Sequence, residues 1–358
     1  MSTSSTSMKA AVVKRADGGF SFNLEDVPRP VPGPLEVLVK LTVTGVCGTD
    51  IALASGEIGP TQDILGHEGV GYVVELGSSV PKTLVQIGNR VGIAWLRDIC
   101  GVCAFCLHPA GETRCREQLN SGRKIDGTFA EYALVPSRYL LRIPDHVKAS
   151  DEQIAPILCG GVTAYSALKN SGGVGGQWVA VSGAGGGVGG LAVQYAKAMG
   201  FRVIALDVGD AKRQYCLASG ADHFIDAAET SDLRESVHQL TAQKGASVVL
   251  ACATSGRAYN AALSIVAPFG TLVCVGIPPP DQLLTFHPLL LIDTGIKIVG
   301  SAVGTQQDIL EAIEFLERGA VKPQIVLKTF EDLPGIAPEL SKQTGKIVIR
   351  IADKPLAT

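Results

Sequence analysis

The sequence predicts an α/β protein of two domains, a doubly wound parallel sheet set between the two parts of a mostly β domain. Three observations lead there. From about Lys9 to Pro156, short β-rich runs ("EVLVKLTVTGV", "GVGYVVELG", "FAEYALV") are broken by Gly and Pro, the pattern of an irregular β domain. Near Val162 the rhythm changes: "WVAVSG", "RVIALD", "HFID", "SVVLAC", "GTLVCVG" and "IKIVG" are six β-rich segments, most of them separated by stretches of helical periodicity. Finally, 358 residues exceed what a single hydrophobic core usually holds. The expected division assigns residues 1–160 and 320–358 to the β domain and 161–319 to the parallel sheet. The helix "QDILEAIEFLERG" leads out of the sheet, and "GKIVIRI" is expected to return as a strand to the first domain.

Charge and hydropathy exclude several function classes. With 31 basic against 34 acidic residues, the chain lacks the electrostatic footprint of a nucleic-acid or anionic-membrane binder. The polar start "MSTSSTSMKAAVVKRADGG" lacks the long apolar stretch of a secretory signal, and no run approaches the roughly 18 apolar residues of a membrane span. The expectation is a soluble, cytoplasmic protein acting on a small molecule. In that compartment nine cysteines read as thiolate ligands or reduced core residues, not disulfides.

Four of the nine stand together. "CGVCAFCLHPAGETRC" places Cys100, Cys103, Cys106 and Cys115 in a loop bounded by turn residues. Spacings of two aim successive sulfurs at one point, and the longer gap lets a fourth complete the tetrahedron that structural zinc prefers. The bacterial iron-sulfur signature instead closes with a spacing of three followed by proline, whereas here the last gap is eight and Arg116 follows. His108, in the same loop, reads as solvated. Cys216, Cys252 and Cys274 lie singly in apolar segments, where a small buried hydrophobe is the default.

"WVAVSGAGGGVGGLAVQYAKAMG" runs strand, glycine-rich turn, helix. Gly185, Gly187 and Gly190 satisfy G-x-G-x-x-G, and neighbouring registers fit as well. Glycines there let a pyrophosphate approach the helix N-terminus. The next strand ends in Asp207, placed to accept hydrogen bonds from the adenosine ribose and to repel a 2′-phosphate, which favours NAD over NADP. Lys212 and Arg213 could soften that repulsion. Three further segments carry potential metal ligands: Cys47 in "GVCGTD", His67 in "LGHEGVG" and Cys159 in "APILCGGVTAY". Two thiolates and an imidazole would leave zinc an open position, but the sequence alone does not bring them together.

Those stretches, with "DGTFAEYA", "AVQYAKAMG" and "IVGSAVG", occur in an order that resembles the zinc-dependent medium-chain alcohol dehydrogenases, most closely the yeast type, over nearly the whole chain. The resemblance implies a GroES-like catalytic domain, a Rossmann NAD-binding domain and two zinc ions per chain. Catalytic zinc would sit on Cys47, His67 and Cys159 with Glu68 as an occasional extra ligand, and structural zinc on the four-cysteine loop. Thr49 is implied as the hydroxyl that takes the alcohol's proton, and Asp50 as the partner that orients His67. Cofactor contacts are implied at Gly185, Gly186, Gly187, Val188, Gly189, Asp207, Lys212, Val275, Ser301 and Val303. A homotetramer or homodimer is implied, as is NAD(H)-linked interconversion of an alcohol and its aldehyde or ketone. The chain departs from the yeast type in having Gly48 and Ala52 where histidines are usual, and Gln306 where a cofactor-binding arginine is common. The Cys47–His67 loop is shorter and lacks tryptophan, which, with Ile51, Leu53, Ala54 and the retained Trp95, points to an alcohol bulkier than ethanol or aromatic. A polyol or secondary-alcohol dehydrogenase and a non-catalytic NAD-binding protein are the alternatives.

Overall fold

The computed structural model describes residues 6–16, 19–109, 111–340 and 343–353; the Ser/Thr-rich start through residue 5 lies outside them. Along the chain come strands β1 (Ser7–Ala16), β2 (Gly19–Pro28) and β3 (Glu36–Val46), helix α1 (Gly48–Ala54), then β4 (Gly69–Leu76) and β5 (Arg90–Ile93). Next are β6 (Leu96–Asp98), β7 (Leu119–Asn120), β8 (Tyr132–Pro136), β9 (Leu141–Arg142), α2 (Asp151–Ile154) and α3 (Gly160–Lys169). Strands then alternate with helices: β10 (Trp178–Ser182), α4 (Gly187–Ala198), β11 (Arg202–Asp207), α5 (Asp210–Ala218), β12 (His223–Asp226), α6 (Leu233–Leu240), β13 (Ala246–Ala251), α7 (Gly256–Ser264) and β14 (Val266–Cys274). The chain continues through α8 (Leu289–Thr294), β15 (Lys297–Gly300), α9 (Gln306–Glu317), β16 (Ile325–Thr329) and β17 (Lys346–Arg350).

Two compact units result. The first takes the described residues of Met1–Cys159, Thr305–Glu317 and Gln324–Thr358. Its main sheet has the order β16-β17-β3-β4-β5-β9, with β8 also paired to β3, beside a β1-β2 hairpin. Strand β3 is apolar almost without alternation because it is buried on both faces. Val37, Val39 and Leu41 enter a core with Val73, Val91 and Ile93, whereas Val46 joins Phe22, Leu65, Phe129 and Ile347 in another. Strand β17 does return to this unit, antiparallel to β3, with Ile347 opposite Val46.

The second unit comprises Gly160–Gly304 and Arg318–Pro323. Its six strands are all parallel, in the order β12-β11-β10-β13-β14-β15. Counted from β10 as the first, that order is 3-2-1-4-5-6, the doubly wound arrangement whose direction reverses between its first and fourth strands. Because the strands are parallel, the residues ending them share one edge: Ser182, Asp207, Asp226, Ala251, Cys274 and Gly300. Among the described residues no helix is long and apolar enough to cross a membrane.

Candidate active site

Cys47, His67, Glu68 and Cys159 meet in the first unit, their ligand atoms all within 4.8 Å of one another. Strand pairing brings them together. Antiparallel β3 and β4 set Thr44 opposite Gly69, and Gly45 N donates to Glu68 O, so the residue ending β3 and the residues preceding β4 share one end of the sheet. Cys159 arrives on a turn of 3-10 helix, Ala155–Leu158. The two thiols lie 3.9 Å apart, and His67 Nε2 is 3.3 Å from Cys159 Sγ. Tetrahedral zinc with sulfur bonds of ~2.3 Å would place two sulfurs about 3.8 Å apart, so the spacing fits that metal and is far too long for a disulfide.

Electrostatics points the same way. A hydrogen bond from Cys159 holds the Cys47 thiol well below its usual range, and the same bond, with burial, pushes Cys159 well above. One thiol therefore ionises at the other's expense, and a divalent cation is what allows both. Burial disfavours a charged His67, yet Asp50 holds its imidazole well above the usual value. Asp50, fully buried, takes His67 Nδ1 at 2.8 Å, Gly66 N at 3.1 Å and Cys47 N at 3.0 Å. That leaves Nε2 directed at the thiols, the orientation that a metal-binding imidazole needs. Thr49, two residues after Cys47 on α1, is half-buried. Leu53 and Ala54, expected near the substrate, are wholly buried in the core, while Ile51 and Trp95 remain partly exposed.

Sequence reasoning missed the residue behind this cluster. Lys346, the first of β17, is buried and donates to Glu68 Oε1 at 2.5 Å and to Val46 O at 3.1 Å. Glu68 is pushed up to about 7, first by burial, with Lys346 opposing, and its Oε2 has no hydrogen-bond partner. A side chain at Gly45 would put its Cβ 2.0 Å from that oxygen, so glycine there makes room for the carboxylate. The available signal was a lysine directly before the apolar run "IVI" of the strand "KIVIR". The Trp95 and His67 rings stand nearly perpendicular, their centroids 5.4 Å apart. The motif "DGTFAEYA" proves to be a clamp: Gly127 N donates to Ile64 O, Thr128 N to Gly66 O and Phe129 N to Leu65 O, lacing the segment to the approach to His67. Buried Arg97 steadies the clamp by donating to Asp126 O, Ser121 Oγ and Leu134 O.

The four-cysteine loop forms a second group. Cys100 to Cys106 is 3.8 Å, Cys103 to Cys106 3.6 Å and Cys115 to Cys100 3.6 Å, again the separations of a tetrahedral site. His108 is exposed and outside the group, as expected. Gln306 is committed elsewhere than to a cofactor: its side chain donates to Tyr139 O and its backbone N to Glu112 Oε1, on the turn leading to Cys115.

In the second unit, the glycine loop leaves β10 and enters α4, whose N-cap is Gly186. The only positive φ in the loop belongs to Gly183, at +74°, two residues before the glycine with which the fingerprint was expected to open. Three of the other glycines are needed for close approach. A Cβ on Gly185 would strike the Lys212 stem at 2.6 Å, and one on Gly189 would strike Gly183 O at 2.1 Å. On Gly190 it would meet the Tyr215 hydroxyl at 2.0 Å. Lys212 crosses bare Gly185 to bond Asp207 Oδ1 at 2.8 Å, and Gly185 N donates to Asp207 Oδ2 at 2.8 Å. Val275 and Ser301 follow β14 and β15 on the same edge, and Val303, held at φ +41°, comes two residues later. Cys216 is buried, whereas Cys252 and Cys274 are only partly so, because they stand at that edge.

Comparison with known proteins agrees with this geometry. Residues 33–145 match the family model described as an alcohol dehydrogenase GroES-like domain, and residues 187–318 that of a zinc-binding dehydrogenase. An alcohol dehydrogenase of Geobacillus stearothermophilus is 39% identical over 97% of this chain and 100% of its own. The crystal structure of the alcohol dehydrogenase from the archaeon Aeropyrum pernix superposes with a TM-score of 0.84 at 29% identity, covering 96% of this chain and 100% of that one. An acetophenone reductase from Geotrichum candidum, solved in complex with NAD, gives 0.83 at 29% identity with 98% of both chains covered. Full-length identity at this level, joined to two sulfur-rich clusters of tetrahedral spacing, places the chain in the zinc-dependent medium-chain alcohol dehydrogenase family.

Proposed function

We propose that Cys47, His67 and Cys159 hold the catalytic zinc of an NAD-dependent alcohol dehydrogenase, with Cys100, Cys103, Cys106 and Cys115 holding a structural one. The observation that carries this reading is the convergence of two thiols and an Asp50-oriented imidazole from three distant segments. Bound there, zinc supplies Lewis acidity toward an alcohol or carbonyl oxygen, and the nicotinamide accepts or gives the hydride. The chain's own groups do the rest. Asp50 fixes the His67 tautomer, Thr49 takes the alcohol's proton, and Glu68 stands by as a further ligand with Lys346 balancing its charge. The described residues of 1–159, 305–317 and 324–358 then form the catalytic domain and 160–304 with 318–323 the cofactor domain, which moves α9 from the second domain, where the sequence set it, to the first. Asp207 and Lys212 receive the adenosine ribose, Gly185, Gly186, Gly187, Val188 and Gly189 the pyrophosphate, and Val275, Ser301 and Val303 the nicotinamide end. With alanine at position 52, no imidazole stands there to pass on the proton that Thr49 would take.

The substrate we infer is an aromatic or extended primary alcohol and its aldehyde. Support comes from the short Cys47–His67 connection, from partly exposed Ile51 and Trp95 beside the ligands, and from the reductase of an aromatic ketone among the similar folds. Two features favour a homodimer or homotetramer: the position of β15 at the end of its sheet, and the exposed apolar side chains Phe269, Leu289 and Ile292 in the same unit. Nine free thiols suit a cytoplasmic location. A series of NAD-linked oxidations tests the substrate reading: kcat/KM should rise from ethanol to benzyl and cinnamyl alcohol, and a steady fall would contradict it.

A further inference from the structure

We propose that Asp226 is a second determinant of cofactor choice, its carboxylate filling the turn amide that a 2′-phosphate would need. The inference rests on the reading that the second unit binds NAD through Asp207. Parallel pairing sets Asp207 and Asp226 opposite each other at the ends of β11 and β12. The turn after Asp207 runs through Val208 and Gly209 into α5, with Gly209 at φ +93°. Consecutive amides of such a turn, opening a helix, are where an added phosphate beside the ribose would be received. Here both are taken by the chain's own anions. Val208 N donates to Asp207 Oδ1 at 2.8 Å, and Gly209 N donates to Asp226 Oδ2 at 2.7 Å. The other oxygen of Asp226 is held by Ala228 N at 2.9 Å. Hydrogen bonds from Gly209 and Ala228 keep this carboxyl below the usual carboxylate range, so it remains ionised at neutral pH.

The cations nearby are engaged. Lys212 bonds Asp207 itself. The Arg213 guanidinium lies over the Phe224 ring at 4.9 Å, with Asp210 at 3.5 Å and Glu229 at 3.7 Å. Four carboxylates, Asp207, Asp210, Asp226 and Glu229, thus face two cations around one turn. Neutralising Asp207 alone leaves the Gly209 amide occupied and the turn anionic, so a phosphate still meets a filled seat and a like charge.

Calorimetric titration with 5′-ADP and 2′,5′-ADP tests this on the unaltered chain, Asp207→Ser, Asp226→Ala and the double variant, alanine leaving no acceptor on the Gly209 amide. The unaltered chain and Asp207→Ser should both reject 2′,5′-ADP. Adding Asp226→Ala to Asp207→Ser should raise 2′,5′-ADP affinity by about 10- to 100-fold relative to 5′-ADP, the worth of one hydrogen bond to a charged group. Equal gains for Asp207→Ser alone and for the double variant would overturn the proposal, as would a loss of both ligands in parallel on Asp226→Ala. Should Asp226→Ala fail to fold, Asp207→Ser alone decides, since tight binding of 2′,5′-ADP by it contradicts a second barrier and continued rejection supports one. If the unaltered chain binds no 5′-ADP, the NAD reading itself falls and takes this proposal with it.

Discussion

Removing the ammonium of Lys346 should strand the Glu68 carboxylate in a site closed to water. The pair is buried on both sides and has one short hydrogen bond. Breaking such a pair from one side costs about 3 kcal/mol, while replacing both partners by neutral groups restores much of it. Lys346→Met should therefore lower stability in urea denaturation by about that amount, and Glu68→Gln with Lys346→Met should recover at least half. A single variant as stable as the unaltered chain would remove Lys346 from the account. Residue roles were unequally legible in the sequence. Cys47, Asp50 and His67 stood in recognisable motifs, but Lys346 lies some 300 positions from its partners and acts only because β17 pairs with β3. Pairing between distant strands leaves no local trace, so a buried cation before an apolar run looks like an edge residue until the sheet is assembled.

At the scale of elements, the four-cysteine lobe depends on its metal more than on packing. Its short segments have exposed apolar side chains such as Val102 and Leu107, and its local structure is one turn of 3-10 helix. Hydrogen bonding, led by the amide of Cys106, holds the Cys103 thiol down to about 6, whereas burial pushes Cys106 up to about 12. Zinc must displace the proton that Cys106 otherwise keeps, so binding releases protons and weakens as pH falls. Loading the apo-protein with zinc in an indicator-buffered solution should release protons, and the lobe's affinity should drop at least tenfold between about pH 8 and 6. Affinity independent of pH would mean that the thiols are already ionised. Element-level reading was most successful here and in the glycine loop, because both are local. Two-residue spacings fix the sulfurs, and a strand, turn and helix in succession fix the loop. The loop's register was less legible: Gly183, Gly185, Gly189 and Gly190 have no room for a Cβ, and the atoms that exclude it include Ala253 after β13 and Lys212 and Tyr215 on α5, all distant from the loop in sequence.

Across the whole molecule, alternation of β-rich and helical segments was enough to read the second unit as a parallel, doubly wound sheet. The first unit was legible as an irregular β domain to which "GKIVIRI" returns, but not in the order or register of its strands, since its pairing is non-local. Function follows from that topology, as the metal cluster exists only where β3, β4 and the turn before Cys159 meet. Two separate clusters, suited to two zinc ions with different duties, follow from that topology. Metal analysis by mass spectrometry, paired with NADH formation from an alcohol, tests this most directly on the unaltered chain and on Cys159→Ser. Two zinc ions per chain with turnover, falling to one zinc and at least a thousandfold less turnover in Cys159→Ser, is the predicted result, on the scale expected when the open metal site is lost (~4 kcal/mol). One zinc in the unaltered chain, or undiminished NADH formation by Cys159→Ser, would contradict it.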